Sequence, residues 1–352
     1  MASGSKKGKS VWPGKANPDH LIAHQEQVCF PILADVAGMR LDMFLKMRLS
    51  WRSRESVHRL LEQRDVRVDG EKRRASYRLK WGETVVVPCP PPSEDPEIMK
   101  TIPLHIIYED DALVVLNKQP NVVVHPVGKE RYGTLINALH LRYRRPDDPK
   151  HDVQPKLAHR LDRETSGVLV VCKSDESRRK VGMDFERGDV DKRYLALVEG
   201  VLAEDRGLID APIGKALNSD HGMKMGVRPD GVAARTEFET LERLGTMTLV
   251  GVRLLTGRTH QIRVHMQHIG HPVVCDKFYG VRKELRLSCV RPLRAGEDDR
   301  VLLDRQALHC HRLGMPHPFT RERLVLEAAM PDDMGAAVAA AREAMAVRGT
   351  AG

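Results

Sequence analysis

The sequence predicts an α+β protein with a mixed sheet, preceded by a separate small module. Three observations point there. The chain has 352 residues, more than a single domain of ordinary size needs. Its apolar runs are of strand length and alternate irregularly with a few helix-like segments, which argues against a repeated βαβ winding. Between module and body, Pro88, Pro90, Pro91, Pro92 and Pro96 break every regular pattern and mark a stiff linker over 89–102.

Taken in order, residues 1–25 mix Lys, Gly, Ser, Pro and Asn without periodicity and read as a basic flexible arm. From Met39, Leu41, Phe44, Leu45 and Leu49 recur at helical spacing, and Val57, Leu60 and Leu61 repeat the signature, so two short helices are expected, the second capped by Ser53. Val66 to Val68 running into Asp69-Gly70 reads as a strand entering a turn, and Glu83 to Val87 as another strand. Beyond the linker, strands are expected at Ala112–Leu116, Val122–Val124, Val168–Val171, Tyr194–Val198 and Met247–Leu255. Helices are expected at Thr134–Tyr143 and Ser174–Phe185. Arg282–Arg300 is polar and turn-rich, a surface insertion, and the Ala-rich residues 335–352 read as a terminal helix and tail.

Lys and Arg number 57 against 48 Asp and Glu, a net charge of +9, and the excess is localised. Lys6, Lys7, Lys9 and Lys15 face only Asp19 in the arm, and residues 40–80 carry 13 basic against six acidic side chains; the rest is near neutral. A neutral body bearing a basic module is the footprint of polyphosphate held by one appendage. No stretch approaches the roughly 20 apolar residues that cross a bilayer, and the first 30 residues lack a signal-like apolar run. A cytoplasmic protein without membrane attachment is expected. The cysteines at 29, 89, 172, 275, 289 and 310 form no close pair, so reduced thiols are expected rather than a disulfide framework or zinc knuckle.

Three polar clusters could carry chemistry. His159 to Gly167 places Asp162 between Arg160 and Arg163 just before a strand. Neighbouring cations keep such a carboxylate ionised, fit to act as nucleophile, base or phosphate-side orienter. Gly257 to His265 holds Arg258 and Arg263, five residues apart, so that one can pair with Asp162 while the other meets a phosphate. Lys192-Arg193-Tyr194 heads a strand and offers a ring for stacking and a hydroxyl. His265 and His268 sit one helical turn apart, but no third ligand completes a metal set.

These clusters, with LNKQPNVVVHP upstream, resemble the RluA-type pseudouridine synthases. The stretches concerned are HRLDRETSGVLVV, KRYLALVEG, TGRTHQIRVHMQHIGHPVVCDKFYG and RQALHCHRLGMPHP. RLDMFL, SRESVHRLLEQ, VRVDG and WGETVVV resemble the S4 RNA-binding domain. Cys275 stands where that family usually has Gly.

The resemblance implies a largely antiparallel mixed sheet with a central cleft over residues 103–334, and an S4-like domain over 39–88. It implies isomerisation of uridine in structured RNA: the N1–C1′ bond breaks, the uracil turns, and C5–C1′ forms without any cofactor. The sequence agrees in having no GxxxxGK[ST] phosphate loop. By the same resemblance Asp162 is the catalytic carboxylate, Arg263 its ion-pair partner and Tyr194 the stacking residue. Arg160 enters the helix as the target nucleotide leaves it. Arg163, Arg258 and His260 are expected to contact RNA near the site; Arg40, Arg52, Arg54, Arg59, Arg73 and Arg74 are expected to do so from the basic module. Ribosomal RNA of the large subunit is the expected partner, with transfer RNA or a non-catalytic ribosome-assembly role as alternatives. Oligomeric state is not legible.

Overall fold

The computed structural model describes residues 27–48, 60–62, 66–88, 97–126, 133–145, 148, 151–216 and 224–349. The basic arm, most of the second module helix with its Ser53 cap, and linker residues 89–96 lie outside the described residues. Two compact units divide between Ile98 and Met99.

The amino-terminal unit has its own core. Strand β1 (Gln27–Pro31) pairs with β4 (Thr84–Pro88), which pairs with β2 (Arg67–Val68) and then β3 (Glu71–Lys72), all antiparallel. Helix α1 (Leu41–Arg48) lays Leu41, Phe44 and Leu45 on that sheet, and Phe30 meets Phe44 edge to face at 5.9 Å. The β2–β3 turn needs Asp69 at φ 49° and Gly70 at φ 82°, the left-handed pair that a tight hairpin requires. The sheet starts at Gln27, ahead of the boundary at 39. Gln27–Pro31 has too short a pattern to announce a strand, and it is recruited by the open edge of β4.

The second unit is built on a ten-stranded sheet. After helix α2 (Ile98–Thr101), which occupies the end of the expected linker, come β5 (Ile106–Glu109), β6 (Leu113–Lys118), helix α3 (Leu135–Tyr143), β7 (Lys156–Leu157), β8 (Ser166–Cys172) and helix α4 (Asp175–Arg187). Next are β9 (Asp191–Glu199), β10 (Arg206–Asp210), the hairpin of β11 (Ile213–Lys215) and β12 (Met225–Val227), β13 (Arg235–Arg243), β14 (Met247–Leu254) and helix α5 (Gln261–His268). A small β15 (Leu285–Arg286) and β16 (Val301–Leu303) hairpin precedes β17 (Leu308–Pro316), β18 (Arg323–Glu327) and helix α6 (Asp332–Gly349). The order is β10-β13-β14-β9-β17-β8-β6-β5, with β18 on β17 and β7 on β8. Among the described strands of this sheet only the β17–β8 pair is parallel, so the sheet is mixed and largely antiparallel.

Every residue of β8 is buried, as a continuous apolar run predicts for a central strand. Its entry is tight: at Gly167 (φ 112°) a Cβ would stand 2.2 Å from the Cys310 carbonyl oxygen, so only glycine lets β17 approach. Helix α4 starts as expected, with Ser174 accepting the Ser177 N–H in a capping box.

Three expectations change. Val122–Val124 contributes a single bridge from Val123 to Thr134 rather than a strand. Arg282–Arg300 is partly core, with Leu285 and Leu287 buried in the β15–β16 hairpin region. The terminal helix begins at Asp332, where Asp332 and Asp333 favour its amino end. Among the described residues no helix is long and apolar enough to cross a membrane.

Candidate active site

The turn from His159 to Thr165 is fixed from several sides before it enters β8. His159 Nε2 accepts the Val170 N–H at 2.9 Å, and its ring lies against Phe185 with centroids 5.1 Å apart. Acceptance at Nε2 puts the ring proton on Nδ1, and burial pushes the His159 pKa down to about 3. Lys118, 1% exposed, donates to the carbonyls of Gln119 and Arg163 at 2.7 and 2.8 Å. Burial, helped by the Arg305 charge, lowers its pKa to about 7.

Opposite, Arg305 donates to the Glu164 carbonyl at 3.1 Å and binds Asp333 of α6 through Nε and Nη2 at 2.6 and 2.8 Å. The terminal helix is thereby tied to the turn. Arg305→Met is expected to lower unfolding free energy by about 2–3 kcal/mol, read by urea denaturation. A loss below about 1 kcal/mol would mean that Asp333, one-third exposed, is simply rehydrated.

Asp162 sits at the open side of this turn, its side chain 21% exposed. Its Oδ2 accepts from Arg263 Nη1 at 2.9 Å. Arg263 is 4% exposed, and its Nε and Nη2 bind Asp276 at 2.6 and 2.9 Å. Asp276 is held in turn by the N–H groups of Phe278 and Tyr279 at 2.9 and 3.1 Å. The guanidinium is also packed against the Tyr279 and Phe278 rings, at 5.0 and 5.5 Å. It therefore has one position, with Nη1 aimed at Asp162. Burial works to raise the Asp162 pKa, but Arg263, His260 and Arg160 outweigh it and hold the carboxyl below the usual carboxylate value.

His260 caps α5 in the left-handed region, φ 58°. Its Nδ1 lies 2.8 Å from the Tyr279 hydroxyl, whose oxygen accepts the Met225 N–H at 2.8 Å. Its Nε2 stands 3.9 Å from Asp162 Oδ2. Burial lowers the His260 pKa against the pull of Asp162. Buried Gln261 shapes this loop: Oε1 accepts from Thr256 Oγ1 and the Arg258 N–H at 2.8 and 2.9 Å. Its Nε2 donates to the Arg235 carbonyl and Thr236 Oγ1, both at 2.9 Å.

Asp162, Tyr194, Arg263, Arg160, Arg258 and His260 line one cavity of about 290 Å³, near the roughly 300 Å³ lower bound of ordinary ligand clefts. It admits one base-sized ring, not a duplex. Tyr194 is 7% exposed; burial, with Cys310 and Asp162 nearby, raises its pKa well above the ordinary value, so it stays a neutral aromatic surface. Arg258 donates to the Ala233 carbonyl at 3.0 Å. Arg163 does not line the cavity; its carbonyl receives Lys118.

In the amino-terminal unit, Arg40 is bidentate to Asp42 at 3.1 and 2.8 Å. Arg73 pairs with Glu71 at 2.7 Å and covers Tyr77 at 4.7 Å, while Arg74 is exposed. Such exposed pairs exchange readily for phosphate. Arg52, Arg54 and Arg59 lie outside the described residues.

The main cation on Asp162 is thus Arg263, 101 positions away, and not the adjoining Arg160 and Arg163 that local sequence suggested. Asp276, Tyr279, Gln261 and Arg305 had no local signal as site residues. Cys275 adopts φ 57° while fully buried, a conformation glycine takes without strain, which is why glycine suits that place. His265 is a core residue between Thr236 Oγ1 and the Ala211 carbonyl, at 2.8 and 2.9 Å. Among the described residues no group of three metal-binding side chains occurs.

Residues 112–268 match the family described as RNA pseudouridylate synthase, and residues 39–86 match the S4 domain. The chain is 38% identical to the ribosomal large subunit pseudouridine synthase D of Nitrosomonas europaea, over 93% of this chain and 92% of that one. It is 36% identical to an uncharacterized RNA pseudouridine synthase of Bacillus subtilis, over 84% and 91% respectively. The human RNA pseudouridylate synthase domain containing 4 has the same fold, with a TM-score of 0.53 over 70% of this chain and 96% of that one at 23% identity.

Proposed function

Since the chain belongs to the RNA pseudouridylate synthase family and carries an S4 domain, we propose that it converts specific uridines of large-subunit ribosomal RNA to pseudouridine. Asp162 is the catalytic carboxylate and Arg263 holds it ionised. Tyr194 stacks on the uracil, and Arg160, exposed at the cavity mouth, fills the gap left by the flipped nucleotide.

The observation that supports this reading most is the fixed Asp276–Arg263–Asp162 chain ending in a base-sized cavity. Asp162 either attacks C1′ or removes the 2′ proton, and both acts need the carboxylate deprotonated. The ribosomal substrate is favoured because several similar proteins carry that name and the basic module suits a large folded RNA. Incubation with uridine-bearing ribosomal RNA is expected to give pseudouridine, detected by carbodiimide adducts. In total RNA from a strain lacking the protein, the missing positions are expected in the large subunit. Missing positions confined to transfer RNA would reassign the substrate.

Removing residues 1–88 is expected to weaken binding to large RNA and flatten its salt dependence, because counterion release by the module is lost. Chemistry on a short stem-loop is expected to persist. An unchanged salt slope in filter binding would mean that the localised charge does not face RNA.

A further inference from the structure

One cation of the cavity is not used by the arrangement above. Lys192 lies in β9 two residues before Tyr194, and strand alternation puts both on the same face. Both line the cavity with Asp162. Unlike Lys118, whose ammonium makes two short bonds, Lys192 has one long contact, 3.4 Å from Nζ to the Thr256 carbonyl. Its ammonium also sits 5.7 Å from the Phe185 ring. Among the described residues it has no carboxylate partner. A largely buried ammonium with spare donors is costly unless something else enters the space it faces.

We propose that Lys192 is a further substrate-binding residue, its ammonium donating to a ring carbonyl oxygen of the uracil while Tyr194 covers the face of the ring. The proposal rests on the pseudouridylation reading above. The surroundings favour the base over a phosphate: Phe185, Tyr194 and Leu254 form an apolar wall beside Lys192, whereas the exposed guanidinium of Arg160 stands at the cavity rim. The other ionisable groups near Lys192 are Cys310, Arg258 and His159. Cys310 is a neutral thiol, pushed up to about 12 mainly by burial, His159 is neutral, and the carboxylate that lines the cavity, Asp162, is held by Arg263. Burial lowers the lysine pKa but leaves its donors available in either state.

The contact strengthens as the reaction proceeds. When N1–C1′ breaks and its electron pair stays with the base, negative charge spreads over N1, O2 and O4. Later C5 bonds to C1′, the C5 proton leaves and N1 takes one up. An ammonium on a carbonyl oxygen stabilises the anion more than neutral uridine, so its loss falls on kcat rather than on KM.

The test uses the full-length protein and a stem-loop carrying a mapped target uridine. Lys192→Met is expected to lower single-turnover rate about 100-fold with RNA affinity within threefold, and Lys192→Arg to restore most of it. Replacing the target by 2-thiouridine or 4-thiouridine identifies the oxygen: sulfur at the contacted position slows the wild type about tenfold and the Met variant not at all. Lys192→Gln is measured alongside should the Met variant melt early. A Met or Gln variant within threefold of wild-type rate, or equal sulfur effects in wild type and variant, overturns the proposal. Absence of pseudouridine with the wild type overturns the underlying reading instead.

Discussion

Asp162→Asn is expected to abolish pseudouridine formation, a loss on the order of 10⁴-fold or more, while RNA affinity is kept or slightly improved. The amide preserves shape and still accepts from Arg263 Nη1, now 2.9 Å from Oδ2, so the cavity survives. What disappears is the charge needed by either route at C1′ or the 2′ proton. Removing a negative charge from an RNA-binding surface cannot weaken phosphate attraction. Because Arg263, His260 and Arg160 overcome burial and keep the Asp162 pKa below its ordinary value, wild-type rate is expected to stay level as pH falls from 8 to 5. The decline begins only below the usual carboxylate range. Single-turnover rates across pH measure both effects; an Asn variant with wild-type turnover would remove Asp162 from the chemistry.

Arg263→Met is expected to cost both activity and stability. Its removal leaves Asp276, whose side chain is fully buried, without its guanidinium, and strips Asp162 of its strongest counter-charge. Breaking one side of a buried pair costs about 3–5 kcal/mol. In the wild type, a depressed carboxyl pKa contributes stability that is present above the unfolded value and lost as pH falls through the folded one. In the variant, burial acts unopposed by Arg263 and raises the Asp162 pKa. The gap in stability between wild type and variant is therefore expected to narrow on acidification, and the acid limb of the rate profile to move to higher pH. Denaturant midpoints from pH 4 to 8 check the first, and pH–rate profiles the second. Parallel stability curves would mean that the Arg263 charge is not what sets the carboxylate.

Much of this was legible beforehand, for reasons that differ by element. The continuous apolar run of β8, the start of α4 at Ser174 and the Asp69-Gly70 turn are local signals that short-range physics writes directly into sequence. The short strands β1, β7 and β15 were not legible, since each is defined by the edge it joins and not by its own periodicity. The site divides in the same way: Asp162 and Tyr194 stand out within dense polar motifs, but Asp276 looks like any turn aspartate until Arg263 is seen against it.

By itself, the chain of residues determined the type of fold, the basic amino-terminal module and the dense polar motif around Asp162, because periodicity, local charge density and motif spacing are properties of neighbours along the backbone. Tertiary structure alone decided what immobilises the Arg263 guanidinium against that carboxylate, and that Lys192 faces the cavity with donors to spare. Electrostatic and hydrogen-bond partnership depends on distance through space: β8 and β17 bring Ser166 and His309 together across 143 positions, and Asp162 and Arg263 meet across 101.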